Sequence, residues 1–163
     1  MAMMQLQGYF PRFSDVFQAE DGVMIGFTRK TLKVTGTVGK KLFIGDFIVM
    51  DSKTATTGTI PATVEDIKAA KWLGIYAGND PIQNVNTDNP TYNSNVTHFE
   101  ADTLEQEVVV VYRGRIGVAQ GGSEGTTRYD SGLRFPRATA RTDRQVIWDK
   151  LEDQDIHVLR QVP

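Results

Sequence analysis

The sequence predicts a mainly β domain of the α+β class: a small β-barrel or tulip-like body with one or two short helices and an extended N-terminal arm. Three observations predict it. Short β-prone runs recur between Val23 and Val49, separated by Gly36, Gly39 and Gly45-Asp46, the spacing of an all-β barrel or sandwich. A longer run, Glu107–Ala119 (EVVVVYRGRIGVA), places an apolar residue or glycine at every second position from Val108 to Val118. A period of two marks a strand with one face buried throughout. The clearest helical stripe in the chain is Thr142–Leu151 (TDRQVIWDKL).

Residues 1–20 form the arm. They carry Tyr9, Phe10, Phe13 and Phe17, and Gly8 and Pro11 discourage a continuous helix there. An aromatic terminal segment either packs on its own domain or docks on a partner and orders on binding. Residues 21–163 read as a single β-rich domain with loop insertions near 78–102 and 120–132.

Within that domain Val23–Phe27, Leu32–Val38 and Lys41–Val49 read as strands, and Thr54–Thr59 (TATTGT) as a polar loop. Thr63 suits the cap of a short helix in Pro61–Lys71. Glu65 and Asp66 fall in its first turn, and Lys68 and Lys71 near its end, as the helix dipole favours. Trp72–Ala77 returns to a strand. Gly78–Asp102 is rich in Asn, Asp, Thr and Pro, and an excursion of that length is usually functional or mobile.

The valine run Val108–Val118 then reads as one strand, with Gly114 marking a bend, a bulge or a close backbone approach. Its second face runs Val109, Val111, Arg113, Arg115, apolar at first and then cationic. Val109 and Val111 lie either under the protein's own helix or against a neighbouring subunit, with Arg113 and Arg115 at the rim. Gln120–Gly132 reads as a flexible loop, and Leu133–Pro136 resumes order. Thr142 or Asp143 is expected to cap the helix, whose stripe is Val146, Ile147, Trp148 and Leu151. Gln154-Asp155 makes a turn into a last strand, Ile156–Val162, with His157 on its exposed or interfacial side.

At 163 residues the chain can bury roughly 70% of its unfolded surface. A net charge of −2 gives no global attraction to nucleic acid. The absence of cysteine excludes disulfides, thiolate metal sites and cysteine nucleophiles. No apolar run approaches the roughly 20 residues of a membrane helix, and the N-terminus lacks a signal-peptide pattern. Synthesis in the cytoplasm is the expectation.

The search for chemistry is brief. Gly36-Thr37-Val38-Gly39-Lys40 is too tightly spaced for a phosphate loop and is followed by Lys41 where Ser or Thr is needed. Gly121-Gly122-Ser123-Glu124-Gly125 lacks the strand-to-helix context of a nucleophile elbow. His98 and His157 are distant in sequence and have no carboxylate cluster beside them, so no metal site is expected. No catalytic residue and no cofactor are expected.

The order of elements carries more than any single motif. A strand ending in WLGIYAGND is followed by QEVVVVYRGRIGV, a loop, the helix TDRQVIWDKLEDQ and the strand DIHVLRQV. Over Trp72–Val162, less the two inserted loops, this resembles the C-terminal half of phage head decoration proteins of the lambda type. The resemblance implies a non-catalytic cement protein that binds the outside of an expanded capsid and stabilises it. It implies the major capsid protein as partner, self-association as a homotrimer on the shell, and no nucleic-acid or membrane partner. It also implies assembly in the host cytoplasm and a final place on the virion exterior. In that family the N-terminal arm pairs with strands of the capsid protein by β-augmentation, the role expected here of Tyr9, Phe10, Phe13 and Phe17. Two other readings stand beside it: a phage tail-tube or fibre-associated β domain, and a small β-barrel ligand-binding module with the 78–102 loop as a lid.

Overall fold

The computed structural model describes residues 16–20, 28–36, 41–78, 96–98, 104–114, 116–119, 122–123, 132–136 and 138–159. At its centre is a closed five-stranded barrel. The strands are β2 (Arg29–Gly36), β4 (Phe47–Met50), β5 (Thr57–Thr59), β6 (Trp72–Gly78) and β8 (Leu104–Val111), hydrogen-bonded in the order β2-β5-β4-β6-β8. The closing pair, β2 with β8, is the longest ladder and runs antiparallel from Arg29 opposite Val111 to Gly36 opposite Leu104. The predicted mainly β fold with a small barrel and two short helices is what the chain adopts.

Ladder register sorts the side chains into two faces, because directly opposed antiparallel residues share a side. Leu32 faces Val108, Ile48 faces Gly74, and Tyr76 faces Val110; all five side-chain-bearing members are fully buried. These fill the barrel interior. Its tightness explains β5, which the sequence reads as a polar loop. Thr57 and Thr59 are exposed, and a Cβ on Gly58 between them would lie 2.5 Å from Ile48 Cγ2. The strand fits only because its inward residue has no side chain, so no apolar alternation advertises it.

The outer face of the barrel is also buried. Phe47 faces Ile75, and Ile75 faces Val111, so these three lie together on that side. Phe135, from the short strand β11 (Arg134–Phe135), meets Phe47 at a centroid distance of 5.2 Å. On its other side Phe135 meets Trp148 edge-on at 6.2 Å. Trp148 belongs to the helix α2 (Arg141–Asp153), whose Ile147 and Leu151 are buried with it. An aromatic relay therefore ties helix to barrel. Each such pair contributes about 0.5–1.5 kcal/mol beyond area burial.

The valine run is where the structure departs most from the sequence reading. It is two strands, not one. β8 stops at Val111, Gly114 adopts φ +92°, and the chain resumes as β9 (Ile116–Ala119) in a different sheet. That sheet has the order β1-β9-β12, with β1 (Phe17–Glu20) antiparallel and β12 (Ile156–Leu159) parallel to β9. Alternation persists across the break because both strands are buried, Val108–Val111 and Ile116–Val118 alike, so the period alone cannot register a change of sheet.

Smaller differences have local causes. Lys41–Val49 is divided by a turn at Gly45 (φ +102°) into β3 (Lys41–Phe43) and β4. The 78–102 excursion includes β7 (Val96–His98), which returns to pair antiparallel with β3. Within the 120–132 loop β10 (Gly122–Ser123) runs parallel to β11. The last strand ends at Leu159, and residues 160–163 and Val23–Phe27 lie outside the described residues.

Both helices form where expected, but only one is capped as expected. α1 (Val64–Ala69) has a complete capping box: Thr63 Oγ1 accepts from Asp66 N–H, and Asp66 accepts from Thr63 N–H. In α2 the N-cap is Ala140, with no side-chain hydrogen bond, and neither Thr142 nor Asp143 caps it. Asp143 instead lies in the first turn and binds Lys68 of α1 at 2.8 Å. Val146 is exposed rather than part of the buried stripe. Lys150 Nζ donates to the Ala70 carbonyl, a second tie between the two helices.

Candidate functional site

A recess forms where the β3–β4 turn meets β11. Gly45, at positive φ, lets the turn close: a Cβ there would fall 2.7 Å from the Gly132 carbonyl oxygen. Gly45 N–H donates to Tyr76 O at 3.1 Å, and Arg134 N–H donates to Gly45 O at 3.0 Å. These main-chain bonds set Asp46 beside Arg134. Arg134 Nε donates to Asp46 Oδ1 at 3.0 Å, and Phe43 N–H donates to Asp46 Oδ2 at 2.8 Å. The Arg134 guanidinium also lies 4.7 Å from the centroid of the Phe43 ring.

The recess encloses about 150 Å³ and its apolar wall includes Leu42, Phe47, Ile60 and Phe135. Ligand pockets commonly hold about 300–1,000 Å³. Among the described residues its lining contains no Ser, Thr, His or Lys. The one carboxylate there already accepts a bond on each oxygen. The arrangement clamps β11 to the turn. A wider groove of about 500 Å³ runs beside α1, floored by Met50 and Ala70 with Asp51, Asp66 and Lys71 on its rim. Asp66 there is engaged by the main-chain N–H groups of Ala62 and Thr63, each at 3.1 Å.

Among the described residues no group of three or more His, Cys, Asp or Glu side chains is placed to hold a metal ion. None of the described helices is long and apolar enough to cross a membrane. Comparison with protein-family models, with curated proteins and with solved structures finds no match.

The residues singled out from sequence fall in three groups. Tyr9, Phe10, Phe13 and Arg115 lie outside the described residues. Phe17 does not project from the domain: it is 5% exposed and opens β1 opposite Val118. Of the two readings of the arm, its last aromatic takes self-packing. Val109 and Val111 are 4% and 0% exposed, buried by the chain itself, so a subunit interface on those two side chains is not available. Arg113 is half-buried, its guanidinium 5.1 Å from the Tyr112 ring centroid. His157 is on the exposed side of β12, as expected, with Nδ1 3.0 Å from Glu152 Oε2.

Sequence reasoning passed over two polar residues that matter. Asp46 and Gln154 both read as turn residues, yet both are tied into the fold by several bonds. Their partners, Arg134 for Asp46 and Leu73 for Gln154, are more than 80 positions away. No local signal could have found them.

Proposed function

We propose that this protein is a non-catalytic capsid decoration protein, binding the outer surface of an expanded phage head and stabilising it. One observation carries the reading furthest. β1 is an edge strand of the sheet β1-β9-β12, anchored by buried Phe17, and the aromatic segment Tyr9–Phe13 immediately precedes it in the chain. A terminal segment joined to an edge strand is suited to β-augmentation, in which main-chain hydrogen bonds supply affinity and alternate side chains supply selectivity.

The rest of the domain is in keeping with a scaffold. The recess at Asp46 and Arg134 is small, and those two side chains are paired with each other. The helix is joined to the barrel by aromatic contacts and buried hydrogen bonds, as a protein that bears load on a shell requires. Under this reading the partner is the major capsid protein, the oligomer on the shell is a homotrimer, and the final location is the virion exterior.

Co-sedimentation of the full chain with expanded and unexpanded shells of the phage that encodes it tests the proposal. Retention on expanded shells alone is expected. Passage of the chain through both unretained would remove the reading.

A further inference from the structure

The outer edge of β12 meets a side chain from the helix that precedes it. Among the described residues β12 is the last strand of the sheet β1-β9-β12 and runs parallel to β9. In a parallel ladder the N–H and C=O of one residue turn toward the neighbouring strand, and those of the next turn away. Val158 N–H turns away from β9 and donates to Glu152 Oε1 at 2.8 Å. By the same alternation the main chain of Ile156 faces outward with it, while His157 and Leu159 direct theirs to β9.

The turn after α2 brings the two residues together. Gln154 N–H donates to Leu151 O and Asp155 N–H to Glu152 O, each at 3.0 Å, and Asp155 adopts φ +62°. The chain thus reverses at Gln154 and Asp155 and lays Val158 beside the last turn of α2. The second carboxylate oxygen of Glu152, Oε2, lies 3.0 Å from His157 Nδ1. A helix C-terminus disfavours an anion, so this position gives Glu152 nothing through the dipole. Its contacts are with the strand.

An edge strand with free outward N–H groups is a template for another strand. This edge is complementary to itself about His157. In an antiparallel second copy, Ile156 would oppose Val158 and the two would exchange their N–H···O bonds. Leu159, 41% exposed, adjoins that edge. We propose that Glu152 is a built-in block on the β12 edge, taking the Val158 N–H that a second copy of this chain would otherwise bond. The block lies on the opposite side of the sheet from β1, and it stands whether or not the chain binds capsids.

Amide hydrogen exchange and sedimentation velocity of the full chain test it together. In wild type the Val158 amide is expected to be protected at every concentration. In dilute Glu152→Ala it should exchange about tenfold faster, the loss of one charge-assisted bond. At high concentration Glu152→Ala should gain mass over wild type and recover Val158 protection, because a second copy now supplies the acceptor. Glu152→Gln, which keeps an oxygen within reach of that N–H, is expected to sediment like wild type. Circular dichroism establishes that each variant is folded. An unprotected Val158 amide in wild type overturns the proposal without recourse to a variant. So does folded Glu152→Ala that keeps the wild-type mass at all concentrations, or Glu152→Gln that associates as Glu152→Ala does.

Discussion

Gln154 grips the main chain of Leu73 from both sides. Its Oε1 accepts from Leu73 N–H at 2.9 Å, and its Nε2 donates to Leu73 C=O at 2.7 Å. The same Nε2 reaches Tyr112 O at 3.1 Å, and the Gln154 carbonyl accepts from Gly114 N–H at 3.3 Å. One residue at the end of α2 therefore joins β6 of the barrel to the turn where the valine run changes sheets. It is 7% exposed, so these bonds form where water cannot replace them.

Gln154→Ala is expected to strip the buried Leu73 N–H and C=O of their Gln154 partner, while Tyr112 O keeps its bond from Trp72 Nε1, destabilising the fold by about 3 kcal/mol. Urea unfolding with an unchanged m-value measures it. Gln154→Glu adds a pH signature. It keeps the acceptor for Leu73 N–H but turns a carboxylate toward two carbonyl oxygens, which raises its folded pKa above the usual value near 4.3. Stability relative to wild type should then recover as the pH falls and be lost as it rises through the folded pKa. A pH-independent deficit would refute the geometry.

Gly114→Ala is expected to cost about 1–2 kcal/mol, since φ +92° is a conformation that a Cβ disfavours. The effect should be seen in global denaturation, because the turn is bonded to Gln154 on one side and feeds β9 on the other. A variant as stable as wild type would show that the joint does not need the left-handed turn.

Lys68 gives a prediction at alkaline pH. Its hydrogen bond to Asp143, and next that to Glu65, raise its pKa above the ordinary value of 10.5. A raised lysine pKa contributes stability that is full below the unfolded value and disappears as pH climbs through the folded one. The Tm difference between wild type and Lys68→Gln should accordingly shrink as the pH is taken above 10.5. A difference that grew over that range would contradict the ion pair.

Legibility in the sequence followed the range of the physics. The Thr63 cap, the strand Trp72–Ala77 and the core helix face of Ile147, Trp148 and Leu151 all rest on neighbours within a few positions, and each was readable. β5 was hidden because its inward position is Gly58, required by the close approach of Ile48. The division of the valine run was hidden for another reason: Gly114 announced a bend, but which sheet Ile116 joins is decided by Phe17 and Ile156, at opposite ends of the chain. The polar clamps were the least visible. Asp46 finds Arg134, and Gln154 finds Leu73, only after the barrel has closed.

The functional reading turns on the segment before Val16, and truncation probes it most directly. Full chain and a version lacking residues 1–15 are each mixed with expanded shells of the phage that the proposed reading assigns the chain to, and sedimented. Phe17 and β1 remain in the shorter chain, so its circular dichroism spectrum and Tm should stay close to those of the full chain. The account predicts that the full chain pellets with the shells while the folded, truncated chain stays in the supernatant. Equal retention of both, or retention of neither, would contradict it.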